Sequence, residues 1–367
     1  MARATPMPPF DPCGWMHGAE RPNTGAERPN TGAERPDTGT ERPITGPEAA
    51  APPPVRPPAG HPERRPSDFG WLPGRPARLP RDDGSRPHLA ALAALGLDGY
   101  LDAHTHWFPD SVNAKIWAYF DAHYWPVTYR DTTEKRVERL RGNGARRFTT
   151  LTYAHRPGMA EWLNGWTLEF CGRVPEAIAC ATFYPEPQAA AYVRRAIERD
   201  GVRGFKIHTR VGGFDPSGAG LAGVFEQIEA AALPVVLHVG DAPDAGPFTV
   251  PAVVDRLLAR HPALRLVIAH MGSSQFGHYL SLAERHPTVA LDTTMVFTGF
   301  RACDPFPAAL VPRLEAVSDR ILFGSDFPTI PYPVSHAVLS LLDLPLSDAA
   351  KRRLLWDNAA RWFGVTA

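Results

Sequence analysis

The 367-residue sequence has no net charge, with 39 lysines and arginines balancing 39 aspartates and glutamates. Nucleic acids and anionic membrane surfaces select for a basic excess, so neither is an expected partner. No apolar run reaches the roughly 18 residues of a membrane-spanning helix. The N-terminus, Met1-Ala-Arg-Ala-Thr-Pro-Met-Pro-Pro-Phe10, has no apolar core followed by a cleavage site, so the chain reads as cytoplasmic. Cysteine is scarce: Cys13, Cys171, Cys180 and Cys303 are widely spaced and form no Cys-x-x-Cys pair. That argues against a disulfide framework and against a thiolate metal site. These absences leave a chain suited to small-molecule substrates.

Proline is unevenly spread. Residues 1–88 hold 20 of the 40 prolines, and a repeat Gly-Ala-Glu-Arg-Pro-Asn-Thr starts at Gly18 and Gly25 and continues in altered form from Gly32 and Gly39. A period of seven suggests a coiled coil, but each unit carries Pro and Gly and almost nothing apolar, so no helical seam can form. Such a segment buries too little apolar surface to offset its ordering entropy, and residues 1–88 are expected to be a disordered Pro/Gly-rich tail. Residues 89–367 are the expected folded unit, close to the size of one (β/α)8 barrel.

From Leu89 onward, short β-branched or aromatic runs alternate with amphipathic stretches rich in Ala, Leu, Arg and Glu. The expected strands are Gly99–His104, Arg147–Tyr153, Ala177–Phe183, Val202–His208, Pro234–Val239, Arg265–His270, Thr288–Thr293 and Arg320–Ser325. Helices are expected between them, among them Thr132–Arg141, Met159–Arg173 and Val250–Arg260, with Ser347–Phe363 closing the chain. Eight such repeats imply a parallel sheet, and the simplest closure is an α/β fold of the TIM-barrel type, (β/α)8, preceded by the disordered N-terminal tail.

Catalytic groups in such a barrel come from the C-terminal ends of different strands. Asp102, His104 and His106 alternate along the first strand and so share a face. Three later runs close on isolated metal-type residues: His238 after Pro-Val-Val-Leu, His270 after Leu-Val-Ile-Ala, and Asp326 after Ile-Leu-Phe-Gly-Ser. Imidazole nitrogen and carboxylate oxygen are the donors of a catalytic divalent cation. Zinc is the first choice, with manganese, iron or cobalt as alternatives.

The segments Asp102-Ala-His104-Thr-His106, Gly204-Phe-Lys206-Ile-His208, Val236-Leu-His238-Val-Gly, Ala269-His270-Met-Gly, Phe323-Gly-Ser-Asp326-Phe-Pro and Asn358-Ala-Ala-Arg361-Trp-Phe-Gly resemble the amidohydrolase superfamily. The likeness is to its amidohydrolase-related branch, which also contains aminocarboxymuconate-semialdehyde decarboxylase and resorcylate-type decarboxylases, and it spans about residues 99 to 364. The resemblance implies that His104, His106, His238 and Asp326 hold one divalent metal. It further implies that His270 acts on substrate or water, with Asp326 also moving a proton. Asp102 is either a carboxylate holding a ligand imidazole by its second nitrogen or a paired charge inside the barrel.

Lys206 makes the metal count a question, since in other branches a strand-4 lysine is carbamylated and bridges two metals. One ion is expected here, with Lys206 alternatively a buried charge paired with Asp292 or Asp326. His208, Lys206, Arg210, Trp107, Tyr153 and Phe327 follow or end strands and are the candidate substrate-binding residues, Arg210 as a partner for a substrate carboxylate. The aromatic stretch from Trp107 to Tyr129 is expected mainly to pack against the barrel.

The expected activity is hydrolysis of a small-molecule amide, ester or lactone carbonyl by metal-activated water. The alternative is a non-oxidative decarboxylase on the same mononuclear site, and a remote alternative is a catalytically inactive binding barrel. A homodimer through outer helices is an option without a sequence mark of its own. Deleting residues 1–86 is expected to leave the melting temperature and activity unchanged; a drop in thermal stability of the truncated protein contradicts the tail reading.

Overall fold

The computed structural model describes residues 86–300, 302 and 304–366. Nearly all of the expected tail therefore lies outside the described residues. Its last two residues belong to the folded unit, because Pro87 opens helix α1 (Pro87–Ala94). Proline suits the first helical turn, where its missing N–H leaves no intrahelical bond unmade.

Eight strands alternate with helices, and all eight lie where β-branched runs stand in the sequence. They are β1 (Tyr100–Asp102), β2 (Ala145–Thr150), β3 (Ala177–Thr182), β4 (Gly204–His208), β5 (Pro234–His238), β6 (Arg265–Ile268), β7 (Val289–Asp292) and β8 (Ile321–Leu322). Neighbours pair in parallel and in chain order from β1 to β8. Beyond the last strand, backbone bonds from Ala103 N to Phe323 O (2.9 Å), Asp326 N to His104 O (2.9 Å) and His106 N to Phe327 O (2.7 Å) join the first strand to the eighth. A parallel bridge between Thr105 and Phe327 completes that seam, and the sheet closes as a TIM barrel.

The intervening helices include α2 (Asp110–His123), α3 (Thr133–Gly142), α4 (Met159–Arg173), α5 (Ala189–Glu198), α6 (Thr209–Gly212), α7 (Ala222–Ala230), α8 (Pro251–Arg260), α9 (Phe276–Arg285) and α10 (Val311–Ala316). After β8 come α11 (Val334–Leu342), α12 (Asp348–Arg352) and α13 (Asn358–Phe363). Their buried faces follow the helical period: Val253, Val254, Leu257 and Leu258 in α8, for example. The core cluster runs from Leu101 and Ala103 through Val236, Val267 and Ala290 to Trp362 and Phe363 on α13. No described helix is long and apolar enough to cross a membrane.

One difference from the sequence reading and one agreement with it matter for the site. Several strands stop earlier on the C-terminal side than expected: β1 ends at Asp102, β2 at Thr150 and β6 at Ile268. Beyond β1, His104 and His106 stay in the hydrogen-bonded seam with the β8 side, whereas His270 lies in a short turn after β6. The register also pairs Lys206 with Val236 and His208 with His238, so Lys206 and His208 share one face of β4 and meet the His238 face of β5.

Candidate metal centre

The seam between β1 and β8 brings His104, His106 and Asp326 together. His104 Nε2 lies 3.2 Å from His106 Nε2, and Asp326 Oδ1 lies 3.0 Å from His106 Nε2 and 3.6 Å from His104 Nε2. The tautomers follow from the other ring nitrogens. His104 Nδ1 donates to the Asp292 carboxylate (2.8 Å) and His106 Nδ1 to the Leu151 carbonyl (2.7 Å). In the neutral rings both Nε2 atoms are then bare, so three lone-pair atoms face one another across a triangle. Such a triangle is repulsive unless its atoms share a cation. Ligand atoms about 2.0–2.2 Å from one ion stand about 3–3.5 Å apart, so the spacing and the N/O donor set both fit a divalent metal.

Among the described residues, His104, His270 and Asp326 form a set whose ligand atoms all lie within 4.8 Å of one another. His270 Nδ1 donates to the Thr294 carbonyl (3.1 Å), leaving its Nε2 bare. His238 stands beside the set: its ring meets His270 edge-on at 4.9 Å and stacks on His208 at 3.7 Å, while its Nε2 is 3.3 Å from the Ala242 carbonyl. Lys206 is fully buried, with Nζ 3.3 Å from His104 Nε2. His270, Met271 and Asp326 adopt left-handed backbone conformations (φ 53°, 52° and 71°). Each costs a non-glycine residue on the order of 1–3 kcal/mol, which the surrounding hydrogen bonds must offset.

Burial governs the charge states. It brings His104 down to about 3, reinforced by the Lys206 ammonium and opposed by Asp292. It also holds His208 and His238 well below the usual imidazole range and lowers His270. Burial lowers Lys206 to about 8 against the pull of Asp292 and Asp326. Desolvation alone would raise Asp326; a proton on the neighbouring imidazoles, His106 first and then His270 and His104, would pull it well below the carboxylate range. Burial favours the neutral forms of His104, His208, His238 and His270.

The other sequence candidates divide. Tyr153 borders the cluster, its ring meeting His106 at 5.4 Å and His208 at 5.0 Å, and burial pushes its phenol up so that it stays protonated. Phe108 lies parallel to His106 at 6.4 Å. Trp107 and Phe327, expected at the site, are core residues instead: Trp107 stacks between Phe148 and Phe170 and donates to Thr105 Oγ1, and Phe327 packs on Trp107 and Tyr129. Arg210 packs against Gly246, and its charge bears on Tyr119. The reading of Asp102 as the holder of a ligand imidazole is corrected. Its Oδ1 accepts the backbone N–H groups of His104 and Ser325, and Asp292 holds the imidazole. The sequence offered Asp292 only as a counter-charge for Lys206.

The amidohydrolase family model matches residues 101–365, and the chain belongs to that family. No curated protein matches the chain. Among solved structures it is similar to 5-carboxyvanillate decarboxylase from Sphingomonas paucimobilis (18% identity, TM-score 0.55, 73% of this chain and 100% of that one). It is also similar to 2,6-dihydroxybenzoate decarboxylase from Rhizobium (17%, TM-score 0.55, 73% and 99%). A third is a dihydroxybenzoic acid decarboxylase from Polaromonas sp. JS666 with bound manganese and the inhibitor 2-nitroresorcinol (17%, TM-score 0.53, 73% and 97%).

A cover lies over this end of the barrel. Following α2, the Tyr124 hydroxyl donates to Asp244 Oδ2 (2.5 Å), on the loop after β5, and Trp125 Nε1 donates to the Thr329 carbonyl (2.9 Å), after β8. Trp125 also packs on Phe300, after β7, at 5.2 Å. In an eight-stranded barrel β1 and β5 stand opposite, so a segment that leaves β1 and reaches the β5 loop crosses the mouth. Tyr124→Phe is expected to speed amide hydrogen exchange in residues 240–250 about tenfold, the scale of a lost bond to a charged acceptor. Wild-type exchange there would mean that the Tyr124 bond does not hold the cover and that its other contacts do.

Proposed function

We propose that the protein is a metal-dependent decarboxylase of a small aromatic carboxylate, working with one divalent cation. The observation that carries this reading is the aromatic edge beside the His104, His106 and Asp326 donor set: Tyr153 meets His106 at 5.4 Å and Phe108 at 5.3 Å, a surface that suits a planar ring. Asp326, with Oδ1 facing His106 and His104, is the group at hand to move a proton to a ring carbon there. The likeness to decarboxylases of carboxyvanillate and dihydroxybenzoate favours the same chemistry.

His104, His106 and Asp326 would hold the cation, with His238 as the fourth ligand. Zinc was the first expectation, and the manganese named in a similar structure makes that ion an equal candidate. When bound, the cation supplies a fixed positive charge that orients the substrate's oxygen atoms. The chain's own groups do the rest. Lys206, charged below about pH 8, adds attraction for an anionic substrate. Tyr153 offers a hydroxyl donor, and His270 offers a bare Nε2 as an acceptor. Asp326 takes up one proton from solvent and delivers it to the ring carbon; the bond between that carbon and the carboxylate breaks, its electron pair stays on the ring, and CO2 leaves.

Hydrolysis is the second reading. It is favoured by Asp326 Oδ2, whose neighbour is the Thr329 hydroxyl at 3.5 Å rather than an imidazole, so that oxygen has room to take a proton.

The test is a panel of hydroxybenzoates and of aromatic amides, esters and lactones, offered to protein loaded with manganese or zinc. CO2 release from the carboxylates is expected; turnover confined to the amides, esters or lactones overturns the proposal in favour of hydrolysis. Within the same assay, His238→Ala should lose metal, whereas His270→Ala should keep it and lose at least about 100-fold in turnover. Loss of metal from both variants contradicts the separate roles.

A further inference from the structure

We infer that Asp292 is the positioning residue of the site, one carboxylate that sets the ring orientation of His104 and the backbone of His270 together. The inference rests on the metal-site reading above. Both oxygens of Asp292 are committed, and the residue is fully buried at the end of β7. Oδ2 accepts from His104 Nδ1 at 2.8 Å. Oδ1 accepts from the backbone N–H of His270 at 2.8 Å and of Thr294 at 3.2 Å. Two residues along, the Thr294 carbonyl accepts from His270 Nδ1 at 3.1 Å.

The turn from Asp292 to Thr294 thus grips His270 by its main chain and by its ring, and grips His104 by its ring. In both imidazoles the proton is drawn to Nδ1. Both Nε2 atoms are left bare and converge with Asp326 as the three-residue set already described. Asp102, another buried carboxylate at this end, is bonded to the backbone N–H groups of His104 and Ser325 and to the Ser325 side chain rather than to an imidazole, so it does not choose a tautomer. Carboxylates that hold a ligand histidine by its second nitrogen fix its orientation, and their loss weakens metal binding about 10–100-fold.

Asp292→Asn separates the two functions. The amide oxygen can still accept from the His270 and Thr294 N–H groups, and this forces the amide NH2 toward His104. A donor facing Nδ1 moves the His104 proton to Nε2, the nitrogen the cation needs.

The experiment compares wild type and Asp292→Asn by manganese and zinc titration of metal-free protein, and by ¹⁵N NMR of the imidazoles without metal. Expected are an affinity loss of about 10–100-fold in the variant and a His104 proton that moves from Nδ1 to Nε2. Affinity within twofold of wild type, or a His104 that keeps its Nδ1 proton in the variant, overturns the inference. If the variant does not fold, the wild-type spectrum decides, because a proton on His104 Nε2 there refutes the assignment. Wild-type protein that binds neither ion yet shows the Nδ1 proton overturns the metal reading and upholds the positioning role of Asp292.

Discussion

Everything at the catalytic end of this barrel depends on the seam where the first and eighth strands meet. β8 is only Ile321 and Leu322, and β1 only Tyr100 to Asp102, yet the backbone bonds continue past both, from Ala103 to Phe323, His104 to Asp326 and His106 to Phe327. Those bonds close the sheet and carry the two halves of the donor set to within 3.0 Å of each other. Asp102 reinforces the join from inside by accepting the N–H groups of His104 and Ser325. A shift of one residue along this seam would turn His104, His106 and Asp326 away from one another, because side chains alternate faces along a strand.

Around the seam the protein solves an electrostatic problem. Ionised groups are costly to bury unless paired, and this end of the barrel buries Asp292, Asp326 and Lys206 together. Asp292 accepts from the His104 Nδ1–H, Asp326 Oδ1 lies 3.0 Å from His106 Nε2, and the Lys206 ammonium lies 3.3 Å from His104 Nε2. The imidazoles remain neutral because burial outweighs the attraction of the acids. Bare imidazole nitrogens beside a buried carboxylate make a donor set that fits a cation, and the segment after α2 crosses the mouth at this end of the barrel.

Much of this was legible in the sequence. Eight β-branched runs located eight strands, and strand alternation placed His104 and His106 together. The same alternation, carried one residue further, puts Trp107 and Phe327 on the faces opposite His106 and Asp326, which is where the structure has them. Nearness in sequence was mistaken for nearness in space. α11 went unassigned although Val334, Ala337, Val338 and Leu341 keep the helical period. The role of Asp292 could not be read at all. It rests on a bond to His104 across 188 residues, which exists only once the barrel has closed. The reaction was equally beyond the motifs, since the same ligand pattern serves hydrolysis and decarboxylation.

The central claim is a single divalent cation shared by His104, His106 and Asp326. The most direct measurement is elemental mass spectrometry of protein purified without added metal or chelator, on wild type and Asp326→Asn. About one equivalent per chain in the wild type, lost in the variant, is the predicted result. Two equivalents would contradict it and implicate a modified Lys206, and no metal even after reconstitution would contradict it outright.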